Sequence, residues 1–261
     1  MIKPKKSLGQ NFLNDKIILE KIVNIISIRD KNILEIGPGT GNLTAFILEK
    51  SPKKIFVIEK DNNLALYLKD KFKNQLTLIN EDVLKIDETK ISEDKLTVFG
   101  NLPYNISTEI LSKWIISLKC DFWFDHLILM FQKEVADRIV AKFNTSNYSR
   151  LTILANWKLH VKKICNIKPE AFTPKPKIES SLLLFTPKQT IFKFKDPRNL
   201  EKVTRIFFSH RRKMLKKPFN QLFDGNRKII EKLEINLNLR PQNLDLNTYY
   251  KLTDEYEKLR S

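Results

Sequence analysis

Apolar residues recur between positions 32 and 131 in short blocks, with helical spacing between them. NILEI (32–36) and KIFVIE (54–59) read as strands, LTAFILEK (43–50) as a helix and NNLALYLKDKF (62–72) as an amphipathic helix. LTLIN (76–80), LTVFG (96–100) and HLILMF (126–131) continue the series. Strand–helix alternation of this kind predicts an α/β fold with a parallel sheet and helices on both faces.

Beyond residue 150 the pattern changes. LHVKKICNI (159–167) and KIESSLLLF (177–185) predict two further strands, separated by KPEAFTPKPK. Pro169, Pro174 and Pro176 exclude regular structure there and predict an ordered loop. From about residue 196 the chain reads as a small helical unit, with the basic SHRRKMLKK (209–217) in its first helix. The expected division is therefore an α/β domain over 1–190, with 1–30 as an N-terminal cap and basic arm, and a small helical domain over 191–261.

Composition narrows the partners. Lys and Arg number 47 against 30 Asp and Glu, a net charge of +17 that points to a polyanion, either nucleic acid or an acidic membrane surface. The longest apolar runs, such as LILMF, are too short to span a bilayer. The opening MIKPKKSLGQNF lacks the apolar core of a secretory signal. A soluble, cytoplasmic protein is expected, with no membrane contact and no feature demanding an obligate dimer, hence a monomer. Cys120 and Cys165 stand far apart, and His126, His160 and His210 are scattered. No zinc or redox motif can be built from them, so no metal is expected and both thiols are expected to be buried.

Candidate chemistry concentrates at LEIGPGTGNLT (34–44), a strand running into G-x-G-x-G and then a helix. Gly37, Gly39 and Gly41 are three of only six glycines in the chain. They permit a sharp turn and close approach to a ligand, and the helix start offers amide donors. A nicotinamide dehydrogenase would carry G-x-G-x-x-G, but Asn42 occupies the third glycine position. Glu59 ends the next strand, where a carboxylate can accept both hydroxyls of a ribose, and Asp82 follows a third, near an adenine amine. An adenosine without phosphates, such as S-adenosylmethionine, fits these acceptors best. Read singly, either acid is equally a solvated residue at a strand end.

GQNFL (9–13), EIGPGTG (35–41), ED (81–82), GNLPYNIS (100–107) and FTPKPKIESS (172–181) stand together in one order. In this the chain resembles the ribosomal RNA adenine dimethyltransferases, most closely the bacterial branch that dimethylates two adjacent adenines near the 3′ end of 16S rRNA. The resemblance implies a Rossmann-like class I methyltransferase sheet, a small C-terminal helical domain that grips RNA, S-adenosylmethionine as methyl donor, and 16S rRNA in an immature small ribosomal subunit as partner. It implies that Asn11 and Leu13 close over the methionine side of the cofactor, that Gly37 and Gly39 lie against it, and that Glu59 holds the ribose and Asp82 the adenine. Asn101 would lie where cofactor and target base meet, with Tyr104 stacked on the target adenine and Phe172 on its other face.

The residues suit such a reaction. An adenine amine is a poor nucleophile because its lone pair is delocalised into the ring. The side-chain oxygen of Asn101 and the backbone carbonyl of Leu102 can accept its two hydrogens and favour a tetrahedral nitrogen. Pro103 holds Leu102 extended, which helps to aim that carbonyl. Lys175 and Lys177, with Arg211, Arg212 and Lys213, are candidate phosphate contacts, although the last three equally suit a solvated helix face. QKEVADR (132–138) sets Glu134 and Arg138 four apart on a helix and matches the same branch. Rivals are the macrolide-resistance branch acting on 23S rRNA, which typically reads NIPY, and a non-catalytic RNA-binding assembly factor of the same fold. A DNA adenine methyltransferase would usually show PPY.

Overall fold

The computed structural model describes residues 4–5, 9–118 and 121–260. In chain order its elements are β1 (Phe12–Leu13), α1 (Lys16–Val23), β2 (Asn32–Ile36), α2 (Asn42–Leu48), β3 (Lys54–Ile58), α3 (Asn62–Phe72), β4 (Thr77–Ile79) and β5 (Leu96–Asn101). There follow α4 (Ser107–Ser117), β6 (Phe124–Gln132), α5 (Lys133–Ile139), α6 (Arg150–Lys158), β7 (Leu159–Ile167), β8 (Phe172–Thr173) and β9 (Ser180–Pro187). Four helices close the chain: α7 (Arg198–Ser209), α8 (Lys216–Phe223), α9 (Arg227–Lys232) and α10 (Leu246–Lys258).

Seven strands form one sheet in the order β4-β3-β2-β5-β6-β9-β7. Every residue of β2 is buried, as are the first five of β5, because helices cover both faces of the sheet centre. This explains why those strands appear in the sequence as unbroken apolar runs. The expectation of a parallel sheet holds from β4 to β6, whereas β9 pairs antiparallel with β6.

The proline-rich stretch is more regular than expected. A 3₁₀ turn at Pro169–Ala171 leads into β8, which pairs antiparallel with β1, Leu13 opposite Phe172. Two residues suffice because Asn14 N–H also donates to Ala171 O at 2.8 Å, satisfying the backbone beyond the ladder.

The chain forms two compact units. One comprises the described residues of 1–113, 118–136 and 162–187; the other comprises those of 114–117, 137–161 and 188–261, including residues expected in the α/β domain. In the second unit an aromatic cluster joins Trp157, Phe192, Phe194 and Tyr250, and Phe207 meets Tyr249 edge-on. Cys165, expected to be buried, is half-buried on β7, the last strand in the sheet order. Cys120 lies outside the described residues.

Candidate active site

The strand order reverses between β2 and β5, the place where an open α/β sheet leaves a crevice beyond its carboxyl ends. Gly37 N–H bonds Ile58 O at 2.9 Å and turns the chain away from β2 into this crevice. Two positions here admit only glycine. Gly39 and Gly41 have φ of +59° and +73°, and an added Cβ would come within 2.7 Å of the Phe12 ring and 2.4 Å of the Phe72 ring.

The cavity in the crevice is lined by the turn 37–40, by Gln10 to Leu13, and by Glu59, Asp82 and the segment 101–106. Asn11, Leu13, Gly37, Gly39, Glu59, Asp82, Asn101, Leu102, Pro103 and Tyr104 are thereby brought together from five separate stretches of sequence.

Glu59 is buried, yet both carboxylate oxygens have backbone donors: Asp61 N–H to Oε1 at 2.8 Å and Gly39 N–H to Oε2 at 3.3 Å. Burial pushes its pKa up, and those N–H groups oppose the shift. Each oxygen keeps a second lone pair for a ligand hydroxyl. Asp82 caps a 3₁₀ turn through Leu84 N–H and pairs with Lys60 Nζ at 2.7 Å, which holds its carboxyl below the usual range. The two acids thus differ, one dry and backbone-held, the other ionised against a lysine.

Three supporting residues lay outside the sequence assignments. Glu35 on β2 is buried beneath the glycine turn and accepts from Thr44 Oγ1 at 2.6 Å; burial pushes its carboxyl up to about 7. Lys113 on α4 donates to Val83 O at 3.0 Å and Glu88 Oε1 at 2.8 Å, fixing the turn that follows Asp82. Asn42, where a dehydrogenase would carry glycine, donates to Leu13 O at 2.9 Å and so ties the cofactor-side turn to β1. The unusual residue at that glycine position was the only signal visible beforehand.

Asn101 ends β5, and its Nδ2 donates to Asn11 O at 2.8 Å. A carbonyl only accepts, so the amide nitrogen must face Asn11, which leaves Oδ1 as the acceptor offered to the cavity. The Tyr104 hydroxyl bonds Ser180 Oγ at the start of β9, fixing the ring; burial pushes the phenol pKa up. Leu102 is buried beside it.

Phe172 departs from expectation. It is 3% exposed, packs in the core with Leu13, Leu19 and Ile22, and does not line the cavity, because β8 turns it inward against β1. Lys177 is exposed, and Lys175 is exposed but paired with Glu170. Arg211, Arg212 and Lys213 lie in the turn between α7 and α8, not in a helix as expected. Within that unit Arg211 donates to Ser146 O, while Arg212 and Lys213 are exposed.

The donor set suits S-adenosylmethionine. Two carboxylates stand ready for hydroxyls and an amine, apolar walls are offered by Ile36, Leu64 and Val83, and Lys60, which also lines the cavity, is engaged by Asp82. Among the described residues no group of three or more His, Cys, Asp or Glu could hold a metal ion. No described helix is long and apolar enough to cross a membrane.

Residues 1–258 match the family described as ribosomal RNA adenine dimethylase. The chain is 65% identical over 259 residues to the ribosomal RNA small subunit methyltransferase A of Pelagibacter ubique, covering 99% of each protein. It is 44% identical to the protein of that name from Mesomycoplasma hyopneumoniae strain J, covering 97% of this chain and 96% of the relative. A dimethyladenosine transferase from Plasmodium falciparum superposes with a TM-score of 0.80 at 32% identity, covering 95% of this chain and 98% of the other. The 23S rRNA methyltransferase ErmE shares the fold, with a TM-score of 0.69 at 18% identity over 95% of this chain and all of the other. The chain belongs to the ribosomal RNA adenine dimethylase family of S-adenosylmethionine-dependent methyltransferases.

Proposed function

We propose that this protein dimethylates the exocyclic amines of two adjacent adenines near the 3′ end of 16S rRNA, as a cytoplasmic monomer acting on an immature small ribosomal subunit during its biogenesis. The observation that carries this reading is the set orientation of the Asn101 amide, which presents an acceptor where cofactor and target base would meet. The choice of 16S rRNA is supported by high identity over nearly full length to a protein named for the small subunit.

S-adenosylmethionine supplies an activated methyl group. Glu59 would hold its ribose and Asp82 its adenine amine, with Gly37 and Gly39 against its amino-acid part and Asn11 and Leu13 over its methionine side. Asn101 Oδ1 and the Leu102 carbonyl would accept the two hydrogens of the target amine, directing its lone pair toward the methyl and stabilising the charge that develops on nitrogen. Pro103 keeps the Leu102 carbonyl aimed. Tyr104 would stack on the extruded base, a contact worth about 1–3 kcal/mol. Phe172 contributes by packing Leu13, and through it β1, in place. Methyl transfer then depends mainly on alignment. Lys175, Lys177, Arg211, Arg212 and Lys213 would meet phosphates, which position the RNA without reading its sequence.

The test supplies labelled S-adenosylmethionine with unmodified small and large ribosomal particles and maps the labelled adenines. Label on two adjacent adenines near the 3′ end of 16S rRNA is expected. Label confined to 23S rRNA would transfer the protein to the rival branch, and no label on either particle would leave an RNA-binding assembly factor.

A further inference from the structure

The N-terminal segment is fastened to the cofactor side of the sheet by one buried carboxylate. Asp61 is 4% exposed and caps α3, accepting from Asn63 N–H at 3.0 Å, which is all that a helix cap requires. The same carboxylate accepts from Lys5 Nζ at 2.9 Å on Oδ1 and from Gln10 Nε2 at 3.1 Å on Oδ2. Gln10 Oε1 in turn accepts from Lys5 N–H at 2.7 Å, closing a ring of bonds. Burial would raise the Asp61 pKa, but the hydrogen bonds from Lys5 and Gln10 outweigh it and keep the carboxyl below the usual range.

Gln10 directly precedes Asn11, whose carbonyl sets the Asn101 amide. Asp61 N–H, at the other end of the same residue, holds Glu59 Oε1 at 2.8 Å. We infer that Asp61 is a positioning residue for methyl transfer, locking the Asn11 carbonyl that orients Asn101 in register with the carboxylate on the cofactor side. This rests on the role proposed above for Asn101. Asn42 fastens the far end of the segment through Leu13 O, so the carbonyl of Asn11 is held between two anchors. A shift of a fraction of an ångström there would turn the acceptor away from the target amine.

Three variants test this without removing the helix cap. Asp61→Ser keeps a capping oxygen but is too short to reach Lys5 and Gln10. Gln10→Leu combined with Lys5→Met leaves Asp61 intact, and Lys5→Arg keeps the charge. Single-turnover transfer to unmodified small-subunit particles at saturating cofactor should slow about tenfold or more in Asp61→Ser and in the double variant, with melting temperature little changed, and return to near wild type in Lys5→Arg. Wild-type rates in Asp61→Ser and the double variant, while Asn101→Ala is inactive, would overturn this inference alone. Rates that fall only in step with melting temperature would reduce Asp61 to a structural cap. A wild-type rate in Asn101→Ala would remove the underlying reading together with the inference.

Discussion

The side chain of Asn101 donates to the backbone carbonyl of Asn11 at 2.8 Å, joining residues 90 positions apart. The two belong to different motifs, NLPY and GQNFL, and the bond gives them a single purpose. The N-terminal segment thus fixes the orientation of the Asn101 amide, its nitrogen turned to Asn11. An asparagine amide is otherwise free to present either its oxygen or its nitrogen.

Glu59 should govern cofactor affinity. Its oxygens are held by Asp61 and Gly39 N–H groups at the cavity wall, so the carboxylate is preorganised for ribose hydroxyls. Hydrogen bonds to a charged group contribute about 1.5–3 kcal/mol, so Glu59→Ala should weaken S-adenosylmethionine binding about 10- to 100-fold by calorimetry. Unaltered affinity would count against the ribose assignment.

Glu35 makes stability depend on pH. Burial raises its carboxyl from an ordinary value of 4.5 to about 7 in the folded protein. An acid whose pKa is raised on folding favours the folded state fully below the unfolded value, and this contribution is lost as pH rises through the folded value. Glu35→Gln keeps the partner of Thr44 and cannot ionise. The variant should gain stability over wild type progressively between pH 4.5 and 7, reaching about 3 kcal/mol without cofactor, as read by urea unfolding. A stability difference independent of pH across that window would contradict the burial of an ionisable group.

Tyr104 separates stacking from hydrogen bonding. Its ring lines the cavity and its hydroxyl is tied to Ser180. Tyr104→Phe keeps the ring and should lower turnover by only a few fold, whereas Tyr104→Ala should lower kcat/KM about 10- to 100-fold through lost stacking. Equal effects of both changes would assign the role to the hydroxyl.

The turn between α7 and α8 offers the clearest test of RNA contact. Arg211 is engaged with Ser146 O, so Arg212 and Lys213 are the better sites for charge reversal. Arg212→Glu with Lys213→Glu should weaken particle binding and flatten its dependence on salt, because fewer counterions are released. An unchanged salt slope in a filter-binding titration would make this turn merely a connection.

Much of the sheet was legible because its central strands are buried on both faces and therefore appear as uninterrupted apolar runs. The NILEI strand, the helix over 62–72 and the strand over 159–167 begin and end where the pattern placed them. The turn carrying Arg211 to Lys213 was read as helix because no glycine or proline marks the break; Leu215 N–H bonds Leu239 O instead, a contact invisible locally. β8 was hidden by its prolines, since a two-residue strand exists only through its partner β1. Phe172 was assigned to the target base by its motif, but the same pairing places it in the core. Asp61 drew no assignment from the sequence, because Lys5 and Gln10, which share its carboxylate, lie 56 and 51 residues away. Motifs exposed most of the residues named here that line the cavity; the residues that hold them in place depend on contacts formed only in the folded chain.

The most direct test is Asn101→Ala, assayed by single-turnover methyl transfer to unmodified small-subunit particles alongside calorimetric binding of S-adenosylmethionine. Loss of an oriented acceptor should lower the rate about 10²- to 10³-fold or more while cofactor affinity stays within a few fold. Transfer at the wild-type rate in that variant would contradict the account.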